Sequence, residues 1–202
     1  SLFITDLQEK FQTAGIEVKN SNLGQLPETT WFHYPSDYLG DIVHSLNVRS
    51  DNLYAESVLR LLSLSVHEKG SAEKGIDIIR KYWQNYEADS LELFMYDGSG
   101  LARNNKVSAK YLNCVLKETA RDSLIGEYFV QTLPLAGKEG SVATFMKHGE
   151  LPGELRLKSG SMSDVHAYAG YYTTPQNRYA IVVMINNYTC CLLYTSDAAD
   201  EL

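Results

Sequence analysis

The 202-residue sequence lacks the features of several classes of protein. It has no cluster of lysine and arginine, and its net charge is −7, so we expect no nucleic-acid partner. Its longest apolar run, Tyr179–Ile185, is far shorter than the roughly 20 residues that cross a bilayer. We therefore predict a buried strand there and no transmembrane segment. The chain does not open with a basic segment followed by an apolar one, so we expect no signal peptide within it.

The sequence also has little that would hold a metal or form a disulfide. Its three cysteines, Cys114, Cys190 and Cys191, have no metal-ligand spacing, and adjacent cysteines rarely form a useful disulfide. None of the five histidines forms a His-x-x-x-His pattern. We predict no metal site, and the cysteines do not indicate a cellular compartment.

Helical patterns come first along the chain, and strand patterns come last. The strands are predicted at Glu154–Thr173, with a break or bulge near Gly160, and at Arg178–Asn187, with a turn between them. This order favours an α+β fold. The apolar residues of Asn52–Val66 surround much of that helix, which predicts a central, buried position. The predicted helices are Leu2–Ala14, ended by Gly15; Asp37–Val48, capped by Ser36; Asn52–Val66; Gly70–Trp83; and one capped by Ser108 that continues through Leu116.

Two glycine-rich loops separate these elements, at Met95–Asn105 and at Leu133–Ser141. The Asp-Gly-Ser-Gly of the first loop is typical of a tight turn, but the loop could equally line a cleft. Arg103 in the same loop could pair with a ligand carboxylate or simply be solvated.

Two short motifs have residue types that suit catalysis. Ser50, Asp51 and Asn52 precede a predicted helix, where all three residue types are common caps. Alternatively, Ser50 and Asn52 both point into a cleft. The stretch Lys158-Ser159-Gly160 is predicted to open a strand with a cation and a hydroxyl. That strand is either the edge that binds an acidic peptide end, or an ordinary hairpin strand with a polar start.

In this order, the two motifs resemble two of the three signatures of penicilloyl serine transferases, which are Ser-x-x-Lys, Ser-Asp-Asn and Lys-Thr-Gly. Ser159 replaces the threonine and retains its hydroxyl. The blocks "SDNLYAESVLR", "DGSGLARNN", "LPLAGKEGS" and "LKSGSMSDVHAYAGY" are similar to class C low-molecular-mass penicillin-binding proteins, which are D-alanyl-D-alanine carboxypeptidases/endopeptidases. The resemblance covers Leu2 to Asn187. It implies a β-lactamase/transpeptidase-like α+β fold, with helices packed on an antiparallel sheet.

The sequence departs from this family pattern at the nucleophile. No Ser-x-x-Lys precedes Ser50, and the literal match Ser71-Ala72-Glu73-Lys74 stands at a predicted helix cap. We expect residues 1–190 to be the C-terminal part of the catalytic domain, incomplete at its N-terminus. The nucleophile, a signal peptide and accessory domains are expected upstream. Residues 191–202 resemble a translated sequencing adapter and are expected to have no function.

The resemblance implies an acyl-enzyme mechanism without a cofactor, acting on peptidoglycan stem peptides that end in D-Ala-D-Ala and on β-lactams, in the periplasm. In that mechanism Ser50 relays a proton to the leaving amine. Asn52 holds the substrate amide and the lysine of the nucleophile motif. Lys158 keeps the site positive and attracts the substrate carboxylate.

Four further residues are implied to bind the substrate. Ser159 hydrogen-bonds its carboxylate, Gly160 allows its backbone to approach the strand, and the Ser161 N–H is one oxyanion-hole donor. Arg103 binds a side-chain carboxylate of the stem peptide. Two alternatives remain open: a β-lactamase or esterase of the same fold, and a pseudo-enzyme that binds peptidoglycan without cleaving it.

Overall fold

The computed structural model describes residues 9–15, 35–67, 69–86, 92–147 and 152–188. The chain divides into two compact units, Ser1–Ser36 and Asp37–Leu202. In the first unit residues 9–13 are helical, and Gly15 follows with a left-handed φ of 72°, which confirms the predicted end of that helix. The beginning of this helix and the adapter-like segment 191–202 lie outside the described residues.

The second unit begins with helices, as predicted. Their starts depend on capping: Ser71 accepts a hydrogen bond from the N–H of Lys74, and Ser108 accepts one from that of Tyr111. Ser36 was wrongly predicted as a cap, because the first helix begins after Tyr38 without a side-chain cap. The short last helix was not predicted. The helices are α1, Leu39–Arg49; α2, Asn52–Leu64; α3, Ala72–Trp83; α4, Ala109–Arg121; and α5, Gly126–Thr132.

In the described part of the chain, five strands form two antiparallel sheets. A short ribbon pairs β1, Leu93–Phe94, with β2, Lys106–Val107. The main sheet has the order β3-β4-β5, from β3, Glu154–Met162, through β4, Val165–Thr173, to β5, Arg178–Asn186.

The prediction of one long strand from Glu154 to Thr173 was wrong. The chain reverses at residues 163–164, where Asp164 adopts a left-handed φ of 61°, a conformation that aspartate tolerates in turns. Gly160 does not break the strand, because it pairs regularly with Ala167. Lys158-Ser159-Gly160 therefore lies in the second half of β3 and does not open it.

Apolar side chains cover both faces of the main sheet. On one face, Leu116 of α4 and Val130 of α5 pack with Tyr171 of β4, whose hydroxyl donates to the Leu116 carbonyl at 2.7 Å. On the other face, Val142 is fully buried against Leu155 and Leu157 of β3. Helices packed on an antiparallel sheet confirm the predicted α+β class.

The predicted burial of α2 was wrong. Only one stripe of α2 is covered, where α3 packs against it at Gly75. The approach is so close that a Cβ at Gly75 would lie 2.4 Å from the Leu59 carbonyl oxygen. Leu59 is 4% exposed, whereas Leu53 is 73% and Leu61 is 55% exposed. Apolar periodicity thus identified an apolar surface, but not what covers it.

Candidate active site

The Ser50-Asp51-Asn52 motif forms the junction between α1 and α2. Asp51 is the cap of α2, because its carboxylate accepts the N–H of Tyr54 at 3.0 Å. Ser50 ends α1 in a left-handed conformation, with φ 55° and ψ 48°. The capping interpretation therefore applies to Asp51, while the exposed side chains of Ser50 and Asn52 take no part in capping.

Lys158 meets Ser50 across 108 residues of sequence. Its Nζ lies 2.9 Å from Ser50 Oγ and 2.5 Å from the carbonyl oxygen of Ser159. Lys158 forms no ion pair with any residue that the structure describes, and partial burial lowers the pKa of its ammonium. Because the ammonium donates to Ser50 Oγ, the Ser50 proton is left to donate elsewhere.

Among the described residues, the outer edge of β3 has backbone hydrogen-bond partners only along its first half, and beyond it the Ser159 carbonyl accepts from Lys158 Nζ. Along its first half, the Ala136 N–H donates to Leu155 O at 2.8 Å, and the Leu157 N–H donates to Pro134 O at 3.0 Å. In an antiparallel ladder the backbone groups of alternate residues point to the same edge, so those of Ser159 and Ser161 also face outward. An extended peptide can add to such an edge as another strand.

Gly160 leaves open space beside this edge. A Cβ at Gly160 would meet no other atom within 4 Å. The chain's own packing therefore does not require glycine there, which leaves room for a ligand.

Ser141 belongs to the same group of side chains, and the sequence patterns did not indicate it. It lies in a 3-10 helix, Gly140–Val142, and its Oγ is 2.6 Å from Ser159 Oγ. Ser141 ends the family-like block "LPLAGKEGS", but neither that block nor its loop composition indicated a contact with β3.

The Asp-Gly-Ser-Gly loop is a braced turn attached to α2. Glu56 accepts the N–H groups of Gly98 and Ser99 at 2.8 and 3.1 Å. Burial opposes ionisation of Asp97, but the hydrogen bonds that it accepts outweigh burial and lower the pKa of its carboxyl. Its donors are Gly100 N at 2.7 Å, Ala102 N at 2.6 Å and Asn105 Nδ2 at 2.8 Å.

Two predicted site residues make no side-chain hydrogen bond within the described part of the chain. Asn52 lies two residues after Ser50 and is exposed, and Arg103 is exposed in a turn after the braced loop. The structure brings Ser50, Lys158 and Ser159 together, and it leaves Asn52 and Arg103 free of such bonds.

The Ser71-x-x-Lys74 match is a helix cap, as predicted. Ser71 Oγ accepts the Lys74 N–H at 3.4 Å, and the Ser71 N–H donates to Ser63 Oγ at 2.7 Å. Ser71 makes no hydrogen bond to Ser50 or Lys158.

Within the described ranges, no group of three or more His, Cys, Asp or Glu side chains could hold a metal ion. None of the described helices is both long enough and apolar enough to cross a membrane.

Comparison with known proteins gives consistent matches. The sequence profile of the D-Ala-D-Ala carboxypeptidase 3 (S13) family matches residues 1–200. A D-alanyl-D-alanine carboxypeptidase of Actinomadura sp. (strain R39) is 25% identical over 194 residues, which cover 90% of this chain and 36% of the relative. The D-alanyl-D-alanine carboxypeptidase DacB of Haemophilus influenzae is 27% identical over 157 residues, covering 75% and 32%. The chain thus spans about a third of the length of these curated relatives.

Solved structures support the same fold. Penicillin-binding protein 4 of Haemophilus influenzae, in complex with a β-lactam, superposes with a TM-score of 0.73 at 23% identity, covering 98% of this chain and 50% of that one. This likeness confirms the predicted transpeptidase-like fold.

Proposed function

Because this chain belongs to the D-Ala-D-Ala carboxypeptidase 3 (S13) family, we propose that it forms part of a serine-type, penicillin-binding D,D-peptidase. The proposed substrate is a peptidoglycan stem peptide ending in D-Ala-D-Ala, which places the proposed site of action in the cell envelope. The observation that carries this proposal is the 2.9 Å contact between Lys158 Nζ and Ser50 Oγ, beside the half of the β3 edge that has no backbone partner among the described residues. This contact brings together a cation and a hydroxyl, which can bind a terminal carboxylate, and a strand edge, along which the peptide backbone can add.

In the proposed reaction, a serine attacks the carbonyl of the amide bond between the two D-alanines. A nearby lysine accepts the serine proton, and the acyl-enzyme is later hydrolysed by water. We propose that this Ser-x-x-Lys pair lies outside the present sequence, in another part of the complete gene product that contains this chain. Two observations support this: Ser71 is engaged as a helix cap, and the chain spans only about a third of its curated relatives.

Ser50 is proposed to deliver a proton to the leaving amine. The Lys158 ammonium donates to Ser50 Oγ, which stabilises negative charge on that oxygen and leaves its proton free to transfer. Asn52, on the first turn of α2, is proposed to hold the substrate amide.

The substrate is proposed to lie along the second half of β3. The outward N–H of Ser161 would donate to the oxyanion, and loss of such a donor typically costs about 2.7–4 kcal/mol of barrier. Gly160 leaves room for the peptide, and Ser159 donates to its terminal carboxylate. Arg103 is proposed to bind a side-chain carboxylate, which its exposed, unpaired position within the described residues would allow.

Intact-mass measurement after incubation with benzylpenicillin tests the proposal. The 202-residue chain alone should gain no mass, whereas the complete gene product that contains it, here termed the parent protein, should gain one penicilloyl group. Lys158→Ala in the parent protein should slow this acylation at least tenfold, and Ser71→Ala should leave it unchanged.

Two results would contradict the proposal. An adduct on the isolated chain that Ser71→Ala abolishes would identify Ser71 as the nucleophile. Rapid turnover of penicillin by the parent protein, without an accumulating adduct, would instead indicate a β-lactamase.

A further inference from the structure

The turn that contains Ser141 is held beside β3 by contacts on both sides. Gly140 has a left-handed φ of 55°, and a Cβ there would lie 2.2 Å from the Val48 carbonyl oxygen, two residues before Ser50. On the other side Val142 is fully buried against the β3 side chains Leu155 and Leu157. The turn therefore fits between the end of α1 and β3, and its position determines where the Ser141 hydroxyl lies.

The two hydroxyls of Ser141 and Ser159 form an accessible pair. Their Oγ atoms are 2.6 Å apart; Ser141 is exposed and Ser159 is half-buried. Only one of the two can donate to the other, so the remaining proton is available to a ligand. A carboxylate has two acceptor oxygens and could accept one hydrogen bond from each hydroxyl.

The local charge also suits an anion. The Lys158 ammonium bonds the carbonyl oxygen of Ser159 at 2.5 Å, on the other side of the same residue. The nearest acid in sequence, Glu139, is engaged elsewhere, because its carboxylate accepts the Leu135 N–H at 2.9 Å and lies 4.0 Å from Arg156. Among the described residues, the cation bonded to the Ser159 backbone therefore has no carboxylate partner, and the acid nearest to Ser141 in sequence is already engaged.

We propose that Ser141 is a specificity-determining residue that donates directly to the terminal carboxylate of the substrate, as the second hydroxyl beside Ser159. The inference rests on the proposed function and deepens it. In the free protein the two hydroxyls bond to each other. When the substrate binds, each donates to one carboxylate oxygen, and the fixed turn means that little ordering is needed.

The test compares acylation of the parent protein by benzylpenicillin and by benzylpenicillin methyl ester, which lacks the carboxylate. Ser141→Ala should slow acylation by the acid roughly tenfold to a hundredfold, the usual range for a hydrogen bond to a charged group. It should change acylation by the ester less than twofold. Ser141→Thr, which retains the hydroxyl, should recover most of the rate. Ser65→Ala, an exposed serine that bonds its own helix, is the matched control and should change neither rate.

A double-mutant cycle separates direct contact from an effect through Ser159. If Ser141 donates directly, Ser141→Ala should still slow acylation by the acid when Ser159 is already alanine. No further loss in that background, or equal losses with acid and ester, would overturn the inference. A parent protein that forms no adduct with either compound would contradict the proposed function and with it this inference.

Discussion

Gly160→Ala separates the folding of β3 from its use as a binding edge. The added methyl would meet no other atom within 4 Å, and the backbone of Gly160 is not left-handed. Alanine should therefore stabilise the protein by roughly 0.4–1 kcal/mol, because it restricts the unfolded chain. For a domain of 150–250 residues, that corresponds to a rise in Tm of at most about 4 °C, and for the longer parent protein to a smaller rise. The methyl would project on the same face of β3 as Lys158, into the space beside Ser50, so acylation by benzylpenicillin should fall at least tenfold.

Gly170→Ala, one strand away, is the matched control. A Cβ at Gly170 would lie 2.0 Å from the Arg156 carbonyl oxygen and 2.9 Å from Leu157 Cα, which should cost about 1–3 kcal/mol of stability. Thermal unfolding of the parent protein measures the change in stability, and intact mass after timed incubation with benzylpenicillin measures the acylation rate. If Gly160→Ala lowers Tm as Gly170→Ala does, the space beside Gly160 is not open. If Gly160→Ala retains the full acylation rate, no ligand uses that space.

Three further perturbations test the surroundings of the site. Gly140→Ala should lower the free energy of unfolding, measured by chemical denaturation, by about 1–3 kcal/mol more than Gly100→Ala does. Both glycines have a left-handed φ, but only a Cβ at Gly140 would clash, lying 2.2 Å from Val48 O. Equal losses for the two variants would contradict this. Since burial lowers the pKa of Lys158 below its ordinary 10.5, acylation should decline as pH rises through that lowered value; Lys158→Arg, which remains charged, should remove the decline from the pH–rate profile. The pKa of Asp97 is lowered from 3.8, so its stabilisation is present above pH 3.8 and is lost as pH falls through the folded-state pKa. Asp97→Asn should therefore lower Tm at neutral pH, and the difference should close in acid; a gap that persists in acid would exclude this origin.

Local chemistry made the helix starts predictable. Ser71 and Ser108 cap their helices as expected, because a cap depends only on residues within one turn of it. The prediction for Ser36 was wrong because residue type alone does not determine where a helix begins. Serine suits a cap, but α1 begins only after Tyr38. The break in the first strand was assigned to Gly160 because glycine is the stronger turn signal, although the ladder accommodates it and Asp164 makes the turn.

Contacts between distant segments were harder to predict. The order of the two motifs suggested that Ser50 and Lys158 meet, but only through a family resemblance, since 108 residues separate them. Ser141 was missed because its position depends on how Gly140 fits against Val48, which no local pattern encodes. The same limit explains α2, where the apolar positions were correct and the burial was wrong.

The backbone of Ser50 restricts which substitutions that position can accept. Glycine or asparagine would tolerate its left-handed φ of 55° but would remove the hydroxyl. Threonine would retain the hydroxyl, but its β-branch strains a left-handed backbone. In a saturation library, selection for folding would thus enrich one set of residues and selection for reaction another, and serine alone would survive both. Position 50 should therefore accept fewer substitutions during evolution than an ordinary surface serine does.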